Sequence, residues 1–456
     1  MLRARPRNEP PGPRGYPLLG VFPRARRDPL GFFLESARRF GDVVSMRFGT
    51  RRVYLLSHPD DVRHVLQDNA RAYGKSAPAA RIRPLFGDSL TTIDGERWLR
   101  QRRLIRPVFQ PKQLGFLVPI VTGATATMLE RWRGVVARRE AVDALAEMTS
   151  LTRTILMRAL FGDVAAVESR SVGEALDLAL EHADRRLWSA LGWLDVPTPA
   201  QRRFRQAVHA VDGFLSTMID RGRRESASAE TLLSMLRDAR DSETGARMTD
   251  AELHDELKAL LVAGHTTTTS ALGWVWHVLF EHPEVREKLL RELGTRLRSR
   301  HPGADDLPAL AYTRMVIDEV LRLYPPTWLT ARTPLEHDEV RGHRFPMGSI
   351  VLLSPFVTHR HQGFWEEPDR FDPERFTPER SEGRPRFAYF PFGGGPRSCI
   401  GSWFASVTMQ LITAMVSQRF ALTLVPGARV DRQPGLTLRP GPRLPMLLEP
   451  VITRSA

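Results

Sequence analysis

The sequence predicts a mainly α-helical protein with a smaller β-rich part, and three observations carry that reading. Apolar residues recur with helical period from about residue 98 to residue 323. Short β-type runs punctuated by Gly and Pro lie on either side of that region, near residues 43–56 and again after Pro325-Pro326. No repeat or low-complexity linker interrupts the 456 residues, and the Pro/Gly clusters at residues 10–15 and 440–442 lie towards the ends. The expectation is therefore one large domain over 1–456, with about residues 1–25 as a Pro/Arg-rich N-terminal segment.

Each element follows from local chemistry. Asp28-Pro29-Leu30-Gly31 opens a helix that stops at Phe40-Gly41. Residues 43–48, a Gly49-Thr50 turn and residues 53–56 read as a hairpin. Ser57-His58-Pro59-Asp60-Asp61 caps the next helix, with proline in the first turn, where its missing N–H is not needed. Residues 74–95 keep no period, and so long a connection in a compact protein is usually functional. The helical region breaks at residues 192–199, rich in Gly and Pro, which reads as a mobile lid. Thr249-Asp250-Ala251-Glu252 has the form of a capping box, opening a helix that runs to about Phe280. Short strands after Pro326, a Pro- and aromatic-rich meander to Phe390, a last helix after Cys399 and a β-rich tail complete the chain.

Composition bounds the function. A single cysteine, Cys399, excludes an intramolecular disulfide, and a thiolate ligand keeps best in a reducing compartment, so a cytoplasmic location is expected. The basic N-terminus is followed by no apolar run of membrane-span length. The net charge of +14 comes mostly from arginine, as a GC-rich coding sequence would give. These residues are scattered, so no nucleic-acid partner is expected. One cluster stands out: Arg97, Arg100, Arg102, Arg103 and Arg106, on a helix starting near Gly95.

Cys399 lies in Phe392-Gly393-Gly394-Gly395-Pro396-Arg397-Ser398-Cys399-Ile400-Gly401, which runs into an apolar helix. A lone cysteine is usually an inert small hydrophobe. Here Gly393, Gly395 and Gly401 let backbone N–H groups approach the sulfur, the next helix adds its positive dipole end, and Arg397 is two residues away. Such surroundings favour a thiolate, the ligand that haem iron takes when O–O cleavage is the chemistry.

In Phe-x-x-Gly-x-Arg-x-Cys-x-Gly the chain resembles the cytochrome P450 family, and further motifs follow in the family's order over nearly all its length. The resemblance implies the P450 fold, with heme b (iron protoporphyrin IX) between a long distal helix and the cysteine loop. It makes Cys399 the metal ligand, with Phe392, Gly393 and Gly401 shaping the loop. Trp98, Arg102, Arg332 and Arg397 would hold the haem, the arginines through its two propionates. Glu319-Val320-Leu321-Arg322 with Arg375 would form a buried structural triad. Ala263-Gly264-His265-Thr266-Thr267 resembles the oxygen-activation motif: Gly264 would make room for oxygen and Thr267 would steer protons. A glycine followed by hydroxyl residues also suggests a bulge or widened turn in the helix.

Thr266 departs from the family pattern, since an acid usually stands there and a hydroxyl cannot relay protons as a carboxylate does. The implied activity is a monooxygenase that hydroxylates or epoxidises an apolar small molecule, terpenoid, fatty-acyl or polyketide-like, in secondary metabolism. Its electrons would come from a separate ferredoxin-type or flavodoxin-type donor with its reductase, docking on the Arg97–Arg106 cluster. The pocket would be lined by Ile82, Ile93, Ala263, Trp328, Leu329, Leu436 and Thr437. Two other readings use the same motifs: a haem-thiolate enzyme that is peroxide-driven or catalyses desaturation, ring coupling or isomerisation, and a non-catalytic haem-thiolate sensor with His265 as a second ligand.

Overall fold

The computed structural model describes residues 9–75, 82–163, 169–187, 198–224 and 230–451. Residues 192–197 of the expected lid lie outside them. The chain forms two compact units interleaved in sequence: residues 1–81, 322–371 and 381–399 make the first, and residues 82–321, 372–380 and 400–456 the second.

The first unit is organised by a five-stranded sheet, in the order Val43–Phe48, Arg51–Leu56, Ile350–Leu353, Thr330–Pro334, Tyr73–Lys75. The expected hairpin is its edge: Val43 pairs with Leu56, and Gly49 turns the chain at φ 61°. The next pairing is parallel, Val53 with Ile350, and the other two are antiparallel. Tyr54, Leu56, Tyr73, Phe345, Val351 and Leu353 are buried together, and the Tyr54 and Phe345 rings stack with centroids 4.5 Å apart. Helix Pro29–Phe40 is capped by Asp28, whose carboxylate accepts from the N–H of Gly31, and stops at Gly41 with φ 92°. Helix Pro59–Arg63 is capped within the expected stretch: the ring of His58 accepts from the N–H of Asp60, and Pro59 takes the first turn.

The second unit is helical, built around helix Asp250–Glu281. The capping box is formed: Thr249 accepts from the N–H of Glu252 and Glu252 accepts from the N–H of Thr249. This helix is buried nearly all round from Thr268 to Trp276, as a helix lacking one polar face must be. It crosses helix Ala144–Phe161, where the Thr152 and Thr269 hydroxyls are 2.7 Å apart. The β-rich tail closes onto it: Trp274 donates to the carbonyl of Leu438, and a Cβ at Gly273 would stand 2.9 Å from Pro440. Strands Ala141–Asp143, Pro445–Pro450 and Phe420–Leu424 form a separate three-stranded sheet. Among the described residues no helix is long and apolar enough to cross a membrane.

Candidate active site

In the first unit the cysteine loop is fixed by its backbone. The N–H of Gly393 donates to Phe390 O, and the N–H of Cys399 donates to Phe392 O at 2.8 Å. Gly393 and Gly395 take φ of 69° and 64°, a region open to glycine and strained for other residues. A Cβ at Gly395 would also fall 1.8 Å from the carbonyl oxygen of Leu66. With its backbone held, the thiol itself stays exposed. Arg397 donates to the carbonyls of Tyr73 and Ala70, the latter at 3.2 Å. Arg332 pairs across the sheet with Lys75 and donates to Thr330 Oγ1 and Ala331 O at 3.1 and 2.9 Å. Arg397 is thus anchored beside strand Tyr73–Lys75, and the Arg332 guanidinium is held by its own strand, Thr330–Pro334. Leu329 is half-buried, whereas Trp328 corrects the expected pocket lining: it is 3% exposed, with its ring 6.4 Å from Phe33 in the core of this unit.

In the second unit helix Gly95–Ile105 carries Trp98, buried, and Arg102, half-buried, one turn apart on one face. The neighbouring arginines are not the open docking surface that the sequence suggests. Arg100 pairs with Glu252 at 2.6 Å and donates to Arg247 O; Arg97 lies 3.5 Å from Asp88. Arg103 binds Asp241 and reaches Glu243 at 3.0 Å. That guanidinium and the N–H of Glu243 hold the Asp241 carboxyl down at about 2. Among the described residues Arg106 is exposed and in no ion pair.

The hydroxyl run on helix Asp250–Glu281 is α-helical throughout, which corrects the expected bulge. Thr267, Thr269 and Ser270 donate to the carbonyls of Ala263, His265 and Thr266 at 2.9, 2.8 and 2.8 Å. Each carbonyl oxygen has a second lone pair, so it accepts the hydroxyl without releasing the ladder N–H. Gly264 is explained by packing, since a Cβ there would lie 3.0 Å from Leu156. His265 is 1% exposed, with Nε2 3.0 Å from Asp177 Oδ1; Arg153 is 3.6 Å from the other carboxylate oxygen. Its Nε2 is thus engaged by an aspartate, while Nδ1 is buried and has no hydrogen-bond partner among the described residues. Only its burial among threonines could have marked it in the sequence.

The expected pocket residues of this unit gather around the same helix. Thr437 Oγ1 lies 3.1 Å from Ser270 Oγ, to which it donates, and the N–H of Leu436 donates to Asp184 Oδ1 at 2.7 Å. Burial pushes the Asp184 carboxyl up, against that N–H, and Gly435 lets the carboxylate approach. Ile82 is half-buried and Ile93 buried, at the two ends of a segment pinned by Asp88 N–H to Asp255 and Leu90 N–H to Glu256, both 2.7 Å.

The three residues of the expected triad are each buried: Glu319, Arg322 and Arg375 are 0, 0 and 3% exposed. Glu319 lies 3.4 Å from Arg375 and accepts from the N–H of Asp372 at 2.8 Å. Arg322 donates to the carbonyls of His359, Pro368 and Arg370 and lies over the Trp365 ring.

A family model for cytochrome P450 matches residues 10–445. The chain belongs to the cytochrome P450 family. Cyclooctatin synthase of Streptomyces melanosporofaciens is 37% identical to this P450 over 96% of its chain and 95% of the relative. Cyclooctat-9-en-7-ol 5-monooxygenase of the same organism is 36% identical over 98% and 96%. Pentalenene oxygenase of Streptomyces avermitilis is 32% identical over 92% of each. The solved retinoic acid bound cyanobacterial CYP120A1 superposes with a TM-score of 0.87, at 26% identity, covering 97% of this chain and 99% of that one. The protein is a P450 monooxygenase. The cysteine loop fits the haem-thiolate centre that the family implies: Cys399 is exposed on a loop whose backbone is otherwise tied down.

Proposed function

We propose that this P450 hydroxylates or epoxidises a cyclic terpenoid-type skeleton, with Cys399 Sγ as the atom that would ligate the iron of protoporphyrin IX. The observation that carries the reading is the Phe392–Cys399 loop, whose backbone is locked while its thiol is exposed. Bound there, haem supplies the reductive activation of dioxygen and the transfer of one oxygen atom to carbon. The chain supplies the rest. Arg397, Arg332 and Arg102 would hold the propionates, assisted by Trp98. Thr267 Oγ1, which donates to Ala263 O at 2.9 Å, would hold a proton for the reaction by exchanging that bond for one to water. Thr266, with no carboxylate, does not relay protons from solvent.

Electrons arrive from a separate ferredoxin-type or flavodoxin-type donor with its reductase, and Arg106 is the cation of its helix left to meet an acidic partner. The substrate class is supported by relatives named for cyclooctat-9-en-7-ol and pentalenene, hydrocarbon skeletons with at most one hydroxyl in the name, and by the mainly apolar set Ile82, Ile93, Ala263, Leu329 and Leu436.

Reduced protein under carbon monoxide should give the red-shifted Soret band of thiolate ligation, and Cys399→Ser should abolish it. Cyclic terpenes and their alcohols should shift the haem to high spin, and fatty acids and polyketides should not. Purified protein with bound haem and only a histidine-type carbon monoxide spectrum would overturn the ligand; a spin shift confined to fatty acids would overturn the substrate class.

A further inference from the structure

Asp338 gathers three side chains from one short stretch of the first unit. Its Oδ2 accepts from Tyr73 Oη at 2.5 Å, His64 Nε2 at 2.8 Å and Asn69 Nδ2 at 3.3 Å, and its Oδ1 accepts from the N–H of Glu339 at 2.8 Å. A carboxylate only accepts, so His64 carries a proton on Nε2. Burial works to raise the Asp338 carboxyl, yet the Tyr73 and His64 bonds hold it below the ordinary carboxylate range, in the ionised form that accepts from every partner.

The three partners bracket an irregular piece of backbone. His64–Asp68 is a turn of π-helix, closed by the N–H of Asn69 on His64 O at 2.8 Å, and Ala70–Ala72 is a 3₁₀ turn that leads into strand Tyr73–Lys75. A π turn is rare, and where one occurs it frequently marks a functional site. The sheet fixes only the far end of this stretch, where Tyr73 pairs with Pro334. Before that point Asp338 ties it, at His64 and Asn69. Asp338 is itself held steady: strand Asp338–Val340 pairs with His343–Phe345, Phe345 is buried, and Arg341 Nε in the turn lies 2.7 Å from the buried Asp61.

The cysteine loop rests on this same stretch. Gly395 approaches Leu66 O so closely that a Cβ would fall 1.8 Å from it, and Arg397 Nη1 donates to Ala70 O and Tyr73 O. Those two bonds use both Nη1 protons and fix the plane of the guanidinium. Leu66, Ala70 and Tyr73 all lie within the span that Asp338 ties, so one carboxylate sets the bed on which the arginine is aimed.

We propose that Asp338 is a positioning residue for Arg397, acting through His64, Asn69 and Tyr73 on the carbonyls that aim its guanidinium. The role rests on Arg397 being a partner of the haem propionates. A guanidinium at the haem edge favours the more electron-rich ferrous state, and one that has lost its aim favours it less.

The midpoint potential and the rate of haem transfer to apomyoglobin are measured on the purified holoprotein. Asp338→Asn and, more mildly, Tyr73→Phe should shift the potential to more negative values, and Asp338→Asn should speed haem loss about tenfold. Arg341→Gln, which loosens the other anchor of the same hairpin, should lower the melting temperature without moving the potential. Arg397→Gln should shift the potential by itself, and Asp338→Asn should then add nothing in the double variant. Arg397→Gln without effect on potential or haem loss overturns the propionate reading, and the role of Asp338 with it. Where Arg397→Gln does act, an unchanged potential in both Asp338→Asn and Tyr73→Phe, or effects that add in Asp338→Asn/Arg397→Gln, overturns the role of Asp338 alone. Equal shifts in Arg341→Gln and Asp338→Asn would mark general loosening and overturn it as well. Tyr73→Phe, which removes one hydroxyl, carries the same test if Asp338→Asn does not fold.

Discussion

Arg103 and Asp241 meet across 138 residues of chain in a bidentate pair, with Nε–Oδ1 at 3.1 Å and Nη2–Oδ2 at 3.0 Å. Asp241 also shapes its own loop: its carboxylate accepts from Glu243 N–H, and its backbone bonds to Gly245 and Ala246. The pair therefore staples the segment before helix Asp250–Glu281 to helix Gly95–Ile105. Arg103→Glu should lower the melting temperature and loosen residues 238–249 in hydrogen exchange. Arg106→Glu should leave both unchanged and slow reduction by an acidic donor in a salt-dependent way. Equal effects of the two variants on stability would refute the staple.

The same pair sets a pH dependence. The folded-state pKa of Asp241 is about 2, against an ordinary 3.8, so the unfolded chain binds more protons between those values. Its contribution is fully present above about pH 4 and is lost as pH falls towards 2. The melting-temperature gap between wild type and Asp241→Asn should be constant from neutral pH to about 4 and shrink below it. A gap that opens as pH falls would contradict the assignment.

Glu319 and Arg375 are both buried, so removing one partner leaves a charge in the interior. Glu319→Ala should cost about 3–5 kcal/mol, read by denaturant unfolding of the holoprotein. Glu319→Leu/Arg375→Met should recover part of that loss, although the N–H of Asp372 then lacks its acceptor. A loss for Glu319→Ala below about 1 kcal/mol, the range of exposed pairs, would show that the network is hydrated.

Local features were legible in the sequence, and partners far along the chain were not. The capping box at Thr249, the Gly49 turn and the cysteine loop are encoded within a few residues, so spacing alone suffices. Arg100 and Arg103 looked like a free basic face because their carboxylates come from residues 241–252, and sequence spacing does not bring those together. Asp177 and His265 are 88 positions apart, with the same result. Trp328 was misassigned because the turn after Pro325-Pro326 fixes a change of direction but not which alternate residues face the core. The widened turn failed for another reason: hydroxyl back-bonding fills a spare lone pair and does not require the helix to open.

Gly264 offers a test of packing at the oxygen motif. Gly264→Ala gains about 1 kcal/mol of helix propensity but sets Cβ 3.0 Å from Leu156 Cδ2, an overpacking that costs about 1–3 kcal/mol. The variant should be neutral to destabilised by about 2 kcal/mol. In a Leu156→Ala background the clash is gone and the same substitution should stabilise. The two changes should couple by about 1 kcal/mol in a double-mutant cycle, and additivity would show that Leu156 is not the constraint.

Thr266 gives the last test. It is half-buried, and its carbonyl accepts the one O–H proton of Ser270, which leaves Ser270 Oγ to accept from Thr437 Oγ1 at 3.1 Å, so two hydroxyls are already linked beside this turn. Hydroxyls pass protons on but do not store them, whereas a carboxylate switches between donor and acceptor. Proton supply then depends on Thr267, water or a hydroxyl carried by the substrate, and mistimed supply yields hydrogen peroxide in place of product. With hydroxyl-free substrates the enzyme should consume more reductant than it oxidises carbon, and Thr266→Glu should raise product formed per reductant consumed. With hydroxyl-bearing substrates the gain should be smaller, because the substrate supplies the missing group. Melting temperature and the carbon monoxide spectrum should stay unchanged in the variant, separating relay from misfolding. Tight coupling of the wild type on every substrate, lost in Thr266→Glu, would show instead that the hydroxyl chain is itself the efficient relay and that the carboxylate interrupts it.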